Sequence, residues 1–231
     1  MNKLTKHSDV IKNTVICGVF TALAYVCVCV FRIKVSFLTI DIKDAIISTG
    51  AMLIHPIAGV VTSILVALIE MFTISDTSYY GFIMNFLSSA TFSLVASMIY
   101  RARKSLIFAV VGLVTAVFSV TAVMMLANLF ITPHFMGVDR GQVVALIPKL
   151  LLPFNLTKAI LNAALVMLIY KPISTALSRA RIIRKSNENN ASGYKFGVKT
   201  LVVTLCAVGV IVVCFIVFFA VLNGEILPIN E

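Results

Sequence analysis

Long apolar runs separated by short polar or charged stretches set the pattern of this chain. The longer runs predict membrane helices, because about 20 consecutive apolar residues cross the hydrocarbon core of a bilayer. The run at 44–54 has only about eleven residues, which is short for a span, and His55-Pro56 ends it. A loop at 132–152 is expected to hold one short amphipathic stretch. The predicted helices are 12–31, 44–54, 57–74, 81–100, 106–131, 154–173 and 201–222.

The short run at 44–54 is either a re-entrant segment or a short tilted span, since irregular backbone is tolerated where protein or water surrounds it. Positive charge favours the span. With seven helices and a cytoplasmic N-terminus, 13 of the 19 Lys and Arg residues fall in inside loops, five fall in outside loops, and Lys158 lies within a helix. A re-entrant segment would move the later basic loops outside, against the positive-inside rule.

Composition supports a membrane protein without a separate soluble domain. The chain is 60% apolar and 12% charged, whereas soluble domains are about 25% charged. Its net charge of +10 lies in loops, without a basic stripe interleaved with exposed aromatics, so nucleic-acid binding is not expected. The five cysteines lie in apolar runs and are expected to be buried small hydrophobes. The expected units are a membrane domain at 1–178, a basic cytoplasmic linker at 179–199, an extra helix at 200–223 and an extracellular tail at 224–231.

Lys158 is the sharpest polar feature of the apolar runs. A charge at the centre of the bilayer costs about 2.5–3.5 kcal/mol on insertion scales, although a lysine near a helix end can snorkel to the interface. Asn155 lies three residues earlier on the same helix face, so the pair can instead present polar groups to a ligand. Asn85 and Asn128 also lie inside or near the ends of apolar helices. These four residues indicate a cavity that opens outward.

Three further features have two interpretations each. Glu70 is an interfacial carboxylate or a partner for Lys158. The alternating stretch at 36–44 is an extended lid over the cavity or a plain connector. On the first helix, small residues recur at every fourth position and form a smooth stripe, which serves either internal packing or a separate membrane partner. The residues of this stripe are Thr14, Gly18 and Ala22.

The sequence carries no set of residues typical of an enzyme or a metal centre. The three histidines are at or near polar boundaries, without the spacing of metal ligands or of a Ser–His–Asp triad. There is no phosphate-binding loop, so the chain is not expected to hydrolyse ATP itself. No covalently bound cofactor is expected.

Five short motifs follow one another in a specific order. They are Phe37-Leu-Thr-Ile-Asp41-Ile-Lys-Asp44, His55-Pro-Ile-Ala-Gly-Val60, Asn85-Phe-Leu, Asn128-Leu-Phe-Ile-Thr-Pro133 and Pro153-Phe-Asn-Leu-Thr-Lys158. In order and spacing they resemble the riboflavin-specific substrate-binding subunits (S-components) of energy-coupling factor (ECF) transporters. The resemblance covers roughly 14–173, and the last motif is the strongest. It implies an all-α, six-helix S-component-type bundle, to which 201–222 adds one extra C-terminal transmembrane helix.

The resemblance also implies a function. Such a subunit sits in the bacterial plasma membrane and binds riboflavin or a related flavin in an outward-facing pocket. A transmembrane coupling protein and two cytoplasmic ABC ATPases supply the energy, and the small stripe of the first helix contacts the coupling protein. Asn155 and Lys158 match positions that face the isoalloxazine ring. Further substrate-binding residues carried over more loosely are Asn128, Asn85, Asp41, Phe37 and Thr39.

Three departures from the family pattern keep alternatives open. Family members often have Gly-Pro in place of His55-Pro56, often have a basic or amide residue near Glu70, and lack the helix at 201–222. The alternatives are an S-component for another small vitamin, or a membrane subunit that holds a flavin or quinone for electron transfer.

Overall fold

The computed structural model describes residues 3–179, 198–222 and 225–226, and these residues are almost entirely helical. Most of the predicted linker at 179–199 and tail at 224–231 lies outside the described residues. The helices are α1 (Lys3–Val30), α2 (Lys43–Leu53), α3 (Pro56–Thr73), α4 (Ser78–Ala102), α5 (Leu106–Met136), α6 (Arg140–Leu146), α7 (Leu152–Arg179) and α8 (Val198–Ile216). The strands are β1 (Ile33–Val35), β2 (Leu38–Ile40) and β3 (Glu225–Ile226). Single π-helical turns follow α6 at Ile147–Leu151 and α8 at Val217–Val221.

Six stretches of the described chain are long and apolar enough to cross a membrane. They are Val10–Val30, Pro56–Thr73, Ser78–Ala102, Leu106–Met136, Arg140–Arg179 and Val202–Val221. The prediction of an all-α, multi-pass membrane protein is therefore confirmed. Helices α1 to α5 and α7 form the six-helix bundle, and α8 packs against α7 as the extra helix.

Helix α2 is too short to cross a bilayer alone, because its 11 residues rise only about 16 Å at 1.5 Å each. It packs against α1, α3, α4 and α7, and most of its residues are buried. Gly50 lets the Phe20 ring of α1 approach so closely that a Cβ there would lie 2.9 Å from Phe20 Cγ. His55 then caps α3 by accepting a hydrogen bond from the Ile57 N–H at 3.2 Å. Because protein surrounds α2, its shortness and its polar residues are tolerated.

The strand pairing bears on whether α2 counts as a span. Strands β1 and β2 form a hairpin, and β3 pairs antiparallel with β1 through Ile33–Ile226 and Lys34–Glu225. The end of α8 therefore lies beside the end of α1, on the same side of the membrane. Suppose that α2 did not cross the membrane. The four crossings of α3, α4, α5 and α7 would then bring the chain back to the side of the hairpin, and α8 would end on the other side, away from β1. The pairing supports the span over the re-entrant alternative.

The predicted loop at 132–152 is wrong, because most of it is helical. Helix α5 continues through Pro133, whose missing N–H removes only one backbone hydrogen bond. It ends at Gly137, which has φ +64° and donates its N–H to the Pro133 carbonyl. Asp139 then caps α6 by accepting from the Gly141 N–H at 3.0 Å. The cap residues restart the helix after only a few residues.

An apolar cluster under the hairpin joins α8 to the bundle. Its buried side chains come from the hairpin, from α7 and from α8, and Phe31 makes an edge contact with Phe215 at 5.9 Å between ring centroids. The buried members are Ile33, Val35, Ile40, Phe154, Leu161, Cys214, Phe218 and Leu222. The extra helix is therefore part of the packing that holds the hairpin.

Of the five cysteines, only Cys214 is fully buried, and Cys206 is exposed, so the expectation of burial is wrong for Cys206.

Candidate functional site

Five ionisable side chains from distant parts of the chain meet inside the bundle. Asp41 follows β2, Lys43 and Asp44 begin α2, Glu70 lies on α3, and Lys158 lies on α7. Each of the five has 6% or less of its surface exposed. We refer to these five residues as the charged cluster. Buried charges are stable only when they are paired and hydrogen-bonded, so their mutual geometry decides what they can do.

Asp41 is the centre of the charged cluster. Its Oδ2 accepts a hydrogen bond from Lys158 Nζ at 2.9 Å and lies 3.3 Å from Lys43 Nζ. Lys43 Nζ also donates to Glu70 Oε2 at 2.7 Å. Lys158 Nζ reaches the backbone carbonyl of Thr39 at 3.4 Å. One continuous ionic chain thus runs from α7 through the hairpin end and α2 to α3.

The charge state of Asp41 follows from this geometry. Burial alone would raise its pKa, but the ammonium groups of Lys158 and Lys43 outweigh burial and hold the pKa of Asp41 below its usual value. Asp41 is therefore ionised at neutral pH. It neutralises two lysines that would otherwise be costly to bury.

Neutral polar side chains complete the charged cluster. Asn162, one turn after Lys158, accepts from the Ala45 N–H at 2.8 Å and donates to the Asp41 carbonyl at 3.1 Å. It thereby fastens α7 to the start of α2. Asp44 accepts hydrogen bonds from Ser89 and from Ser88, both on α4.

The structure brings together five of the residues singled out in the sequence. Lys158 contacts Asp41 and the Thr39 backbone directly, while Asn85 donates to Glu70 Oε2 at 2.8 Å and so joins the charged cluster from α4. Glu70 was expected to be interfacial or to pair with Lys158. Instead it is 3% exposed and pairs with Lys43.

Asn128 and Asn155 are buried but form hydrogen bonds to residues one turn away along the chain. Asn128 donates to the Met124 carbonyl at 2.7 Å and accepts from Thr132 at 2.8 Å. Asn155 donates to the Leu151 carbonyl at 2.8 Å. Their amides offset burial with backbone partners one turn away.

Phe37 lies at the hairpin tip beside two further aromatic rings. Ser36 before it has φ +57°, the left-handed conformation that the tight turn requires. The Phe37 ring centroid is 6.3 Å from that of Phe135, which lies 5.8 Å from that of Tyr80. The hairpin, α5 and α4 thus each contribute one ring to this aromatic row. The interpretation of 36–44 as extended is confirmed only for β2, because α2 already begins at Lys43.

Sequence reasoning missed several members of the site. Lys43 was expected in an outside loop, but it is 1% exposed. Its signal was the run of alternating charge at Asp41, Lys43 and Asp44, directly before an apolar segment. Asn162 was also missed, although its spacing of four residues from Lys158 puts both on one helix face.

The small stripe of α1 lies on the outside of the bundle. Thr14, Gly18 and Ala22 are all exposed, and a Cβ added at Gly18 would meet nothing within 4 Å. The Thr14 hydroxyl donates to the Val10 carbonyl at 3.0 Å, which leaves the surface smooth. The opposite face of α1 packs inward through buried residues at the same spacing, Ile16, Phe20, Ala24 and Val28. The stripe therefore does not serve packing among the described residues.

Comparisons with known proteins agree with this architecture. The chain is 25% identical over 150 residues to the riboflavin transporter RibU of Staphylococcus aureus (strain TCH60). The aligned region covers 62% of this chain and 78% of that protein. A solved structure of the S component of a bacterial ECF transporter superimposes with a TM-score of 0.62 at 25% identity, covering 73% of this chain and 98% of that chain. The family "ECF transporter, substrate-specific component" matches residues 12–170, a stretch that ends before α8. Because this match covers more than half of the sequence, the chain belongs to that family and is a transporter component, not an enzyme.

Proposed function

We propose that this chain captures riboflavin at the outer face of a bacterial plasma membrane for import driven by partner proteins. The observation that carries the proposal is the buried position of Lys158, which is fixed by Asp41 and the Thr39 carbonyl. Lys158 closes the motif that most resembles flavin-specific subunits. The similarity to a riboflavin transporter supports the same ligand.

The chemistry around Lys158 suits a flavin ring. An ammonium group has three donors, and Asp41 and Thr39 take two of them. With no further partner among the described residues, the third donor is left for a carbonyl or ring nitrogen of the isoalloxazine. The aromatic row of Phe37, Phe135 and Tyr80 offers apolar faces for a flat ring.

Asn155 and Asn128 serve as further polar contacts in this proposal. Both are buried on helices that flank the site, α7 and α5, and both side chains donate to backbone carbonyls one turn earlier. A bound ligand would draw on the remaining hydrogen-bonding capacity of the two amides. Asn85 contributes from α4 through Glu70.

The energy for import comes from other proteins in this proposal. The partners are a transmembrane coupling protein and two cytoplasmic ATPases, with the exposed stripe of α1 as the contact for the coupling protein. The N-terminus is cytoplasmic, as the distribution of Lys and Arg supports. The hairpin and the charged cluster then lie toward the outer face.

A binding experiment tests the ligand. Purified chain in detergent is expected to quench riboflavin fluorescence at submicromolar concentration. Lys158→Met is expected to weaken binding at least tenfold, because a charge-assisted hydrogen bond is worth about 1.5–3 kcal/mol. Lys149→Met is the matched control, since Lys149 is exposed shortly before α7. Folded protein that leaves riboflavin fluorescence unchanged would refute the proposal.

An uptake experiment separates an importer from a subunit that only holds a flavin. Cells that express the coupling protein and the ATPases are expected to accumulate labelled riboflavin only when this chain is also present. Equal uptake without the chain would argue for the static subunit.

A further inference from the structure

Glu70 has one carboxylate oxygen that the fold leaves without a partner. Its Oε2 accepts from Lys43 Nζ at 2.7 Å and from Asn85 Nδ2 at 2.8 Å. Its Oε1 is buried and has no hydrogen-bond partner within the part of the chain that is described. A buried acceptor without a donor is costly, and more so when it carries charge. Oε1 is therefore placed to accept a hydrogen bond from a donor group of a bound ligand.

The charged cluster also carries an excess of negative charge. Its three carboxylates, Asp41, Asp44 and Glu70, stand against the two ammonium groups of Lys43 and Lys158. Asp44 has the hydroxyls of Ser88 and Ser89 as partners, and Asp41 contacts both lysines. Glu70 shares the ammonium group of Lys43 with Asp41, so its negative charge is only partly compensated, next to its free oxygen.

Glu70 is also reachable from the ligand residues named above. Asn85, which is only half-buried, contacts Glu70 directly. On the side of the ionic chain, Lys43 links Glu70 to Asp41, and Asp41 in turn contacts Lys158. A ligand that touches both Lys158 and Asn85 therefore passes within reach of Glu70.

We propose that Glu70 determines specificity: its Oε1 accepts a hydrogen bond from a neutral O–H or N–H donor of the ligand, and its charge disfavours ligands that carry a phosphate. This inference rests on the proposed flavin-binding function and refines it. Riboflavin is uncharged and offers ribityl hydroxyls and a ring imide N–H as donors. Its 5′-phosphate adds about 1.5–2 negative charges at pH 7, and a buried carboxylate repels them with little screening by salt.

The test is the ratio of two dissociation constants, for riboflavin 5′-phosphate and for riboflavin, measured by competition on each variant. The ratio does not depend on the fraction of protein that is folded. The native chain is expected to prefer riboflavin by at least tenfold. Glu70→Gln is expected to bind riboflavin about tenfold more weakly, as expected for the loss of a hydrogen bond to a charged group. Its ratio of the two dissociation constants is expected to be closer to one than that of the native chain. Glu70→Asp keeps the charge and is expected to keep the preference for riboflavin.

The matched control is Asp76→Asn. Asp76 lies just after α3, its side chain is 85% exposed, and it contacts only Lys34 at 4.0 Å among the described ion pairs. It removes the same charge outside the charged cluster and is expected to leave the ratio unchanged. The inference would be overturned if Glu70→Gln had the same ratio of dissociation constants as the native chain. It would also be overturned if Glu70→Asp lowered this ratio as much as Glu70→Gln does. A native chain that binds neither flavin would instead refute the proposed function.

Discussion

The carboxylate of Asp41 and the ammonium group of Lys158 lie 2.9 Å apart, although 117 residues separate them in the chain. Asp41 also lies 3.3 Å from Lys43. One side chain at the end of the hairpin therefore ties α2 and α7 together. Fixing these elements in one geometry orders the groups that we propose to contact the ligand before it arrives, which lowers the entropic cost of binding.

Asp41→Asn is expected to destabilise the protein by about 3–5 kcal/mol, because removing one partner leaves a buried charge without compensation. Lys158 would lose its only ion pair in the described residues. The measurement is the unfolding midpoint in detergent or lipid. Asp76→Asn, which removes an exposed carboxylate, is expected to change stability by no more than about 0.5 kcal/mol. Equal stability of the two variants would contradict the structural role of Asp41.

The contribution of Asp41 to stability is expected to depend on pH in one direction. Burial would raise its pKa, but Lys158 and Lys43 hold the pKa below the ordinary value of about 3.9. A depressed pKa in the folded state gives stability that is present above the unfolded pKa and is lost as pH falls through the folded pKa. The difference in unfolding temperature between the native chain and Asp41→Asn is therefore expected to stay constant from about pH 5 to 8 and to shrink below about pH 4. A difference that already shrinks near pH 6 would contradict this charge state.

The membrane helices were predictable wherever the length and hydropathy of an apolar run were enough to identify them. The long apolar runs at α1, α3, α4, α5, α7 and α8 needed only length and hydropathy. The loop at 132–152 was mispredicted because the apolar run ends near residue 131, whereas α5 continues through Pro133 to Met136 and is capped at Gly137. A proline costs one hydrogen bond there, and the surrounding packing outweighs that loss.

The site was predictable only in part, because partners depend on contacts across the bundle. Lys158 stood out by its place in an apolar run, which left snorkelling to the interface and contact with a ligand as alternatives. That its partner is Asp41 and not Glu70 depends on Lys43, which is buried because four other helices pack around α2. In sequence, polar residues at the start of a short helix look like part of a loop. They are buried only because other helices pack around them.

Gly18→Leu is expected to abolish uptake while riboflavin binding stays within about twofold. Gly18 is exposed, and nothing lies within 4 Å of an added Cβ, so the larger side chain fits the free chain. It would disrupt the close helix approach that a small stripe permits. The measurements are fluorescence quenching by the purified chain and uptake in cells with the partner proteins.

The matched control for the stripe is Val19→Leu. Val19 is the next residue on α1, is 52% exposed and lies off the stripe. It is expected to leave both binding and uptake unchanged. Normal uptake by Gly18→Leu would contradict the assignment of the stripe to a coupling protein.

Phe218→Ala tests whether the extra helix supports the hairpin. Phe218 is fully buried in the apolar cluster that also contains hairpin and α7 residues, so its truncation is expected to cost about 3–5 kcal/mol through the cavity that remains. Phe219 is 41% exposed and stacks on Phe215, one turn earlier, so Phe219→Ala is expected to cost about 1 kcal/mol or less. Hydrogen exchange of the β1 and β2 amides should accelerate in Phe218→Ala alone, because Phe218 belongs to the same buried cluster as Ile33, Val35 and Ile40 of these strands. If both variants behave alike, α8 contributes no specific support to the hairpin.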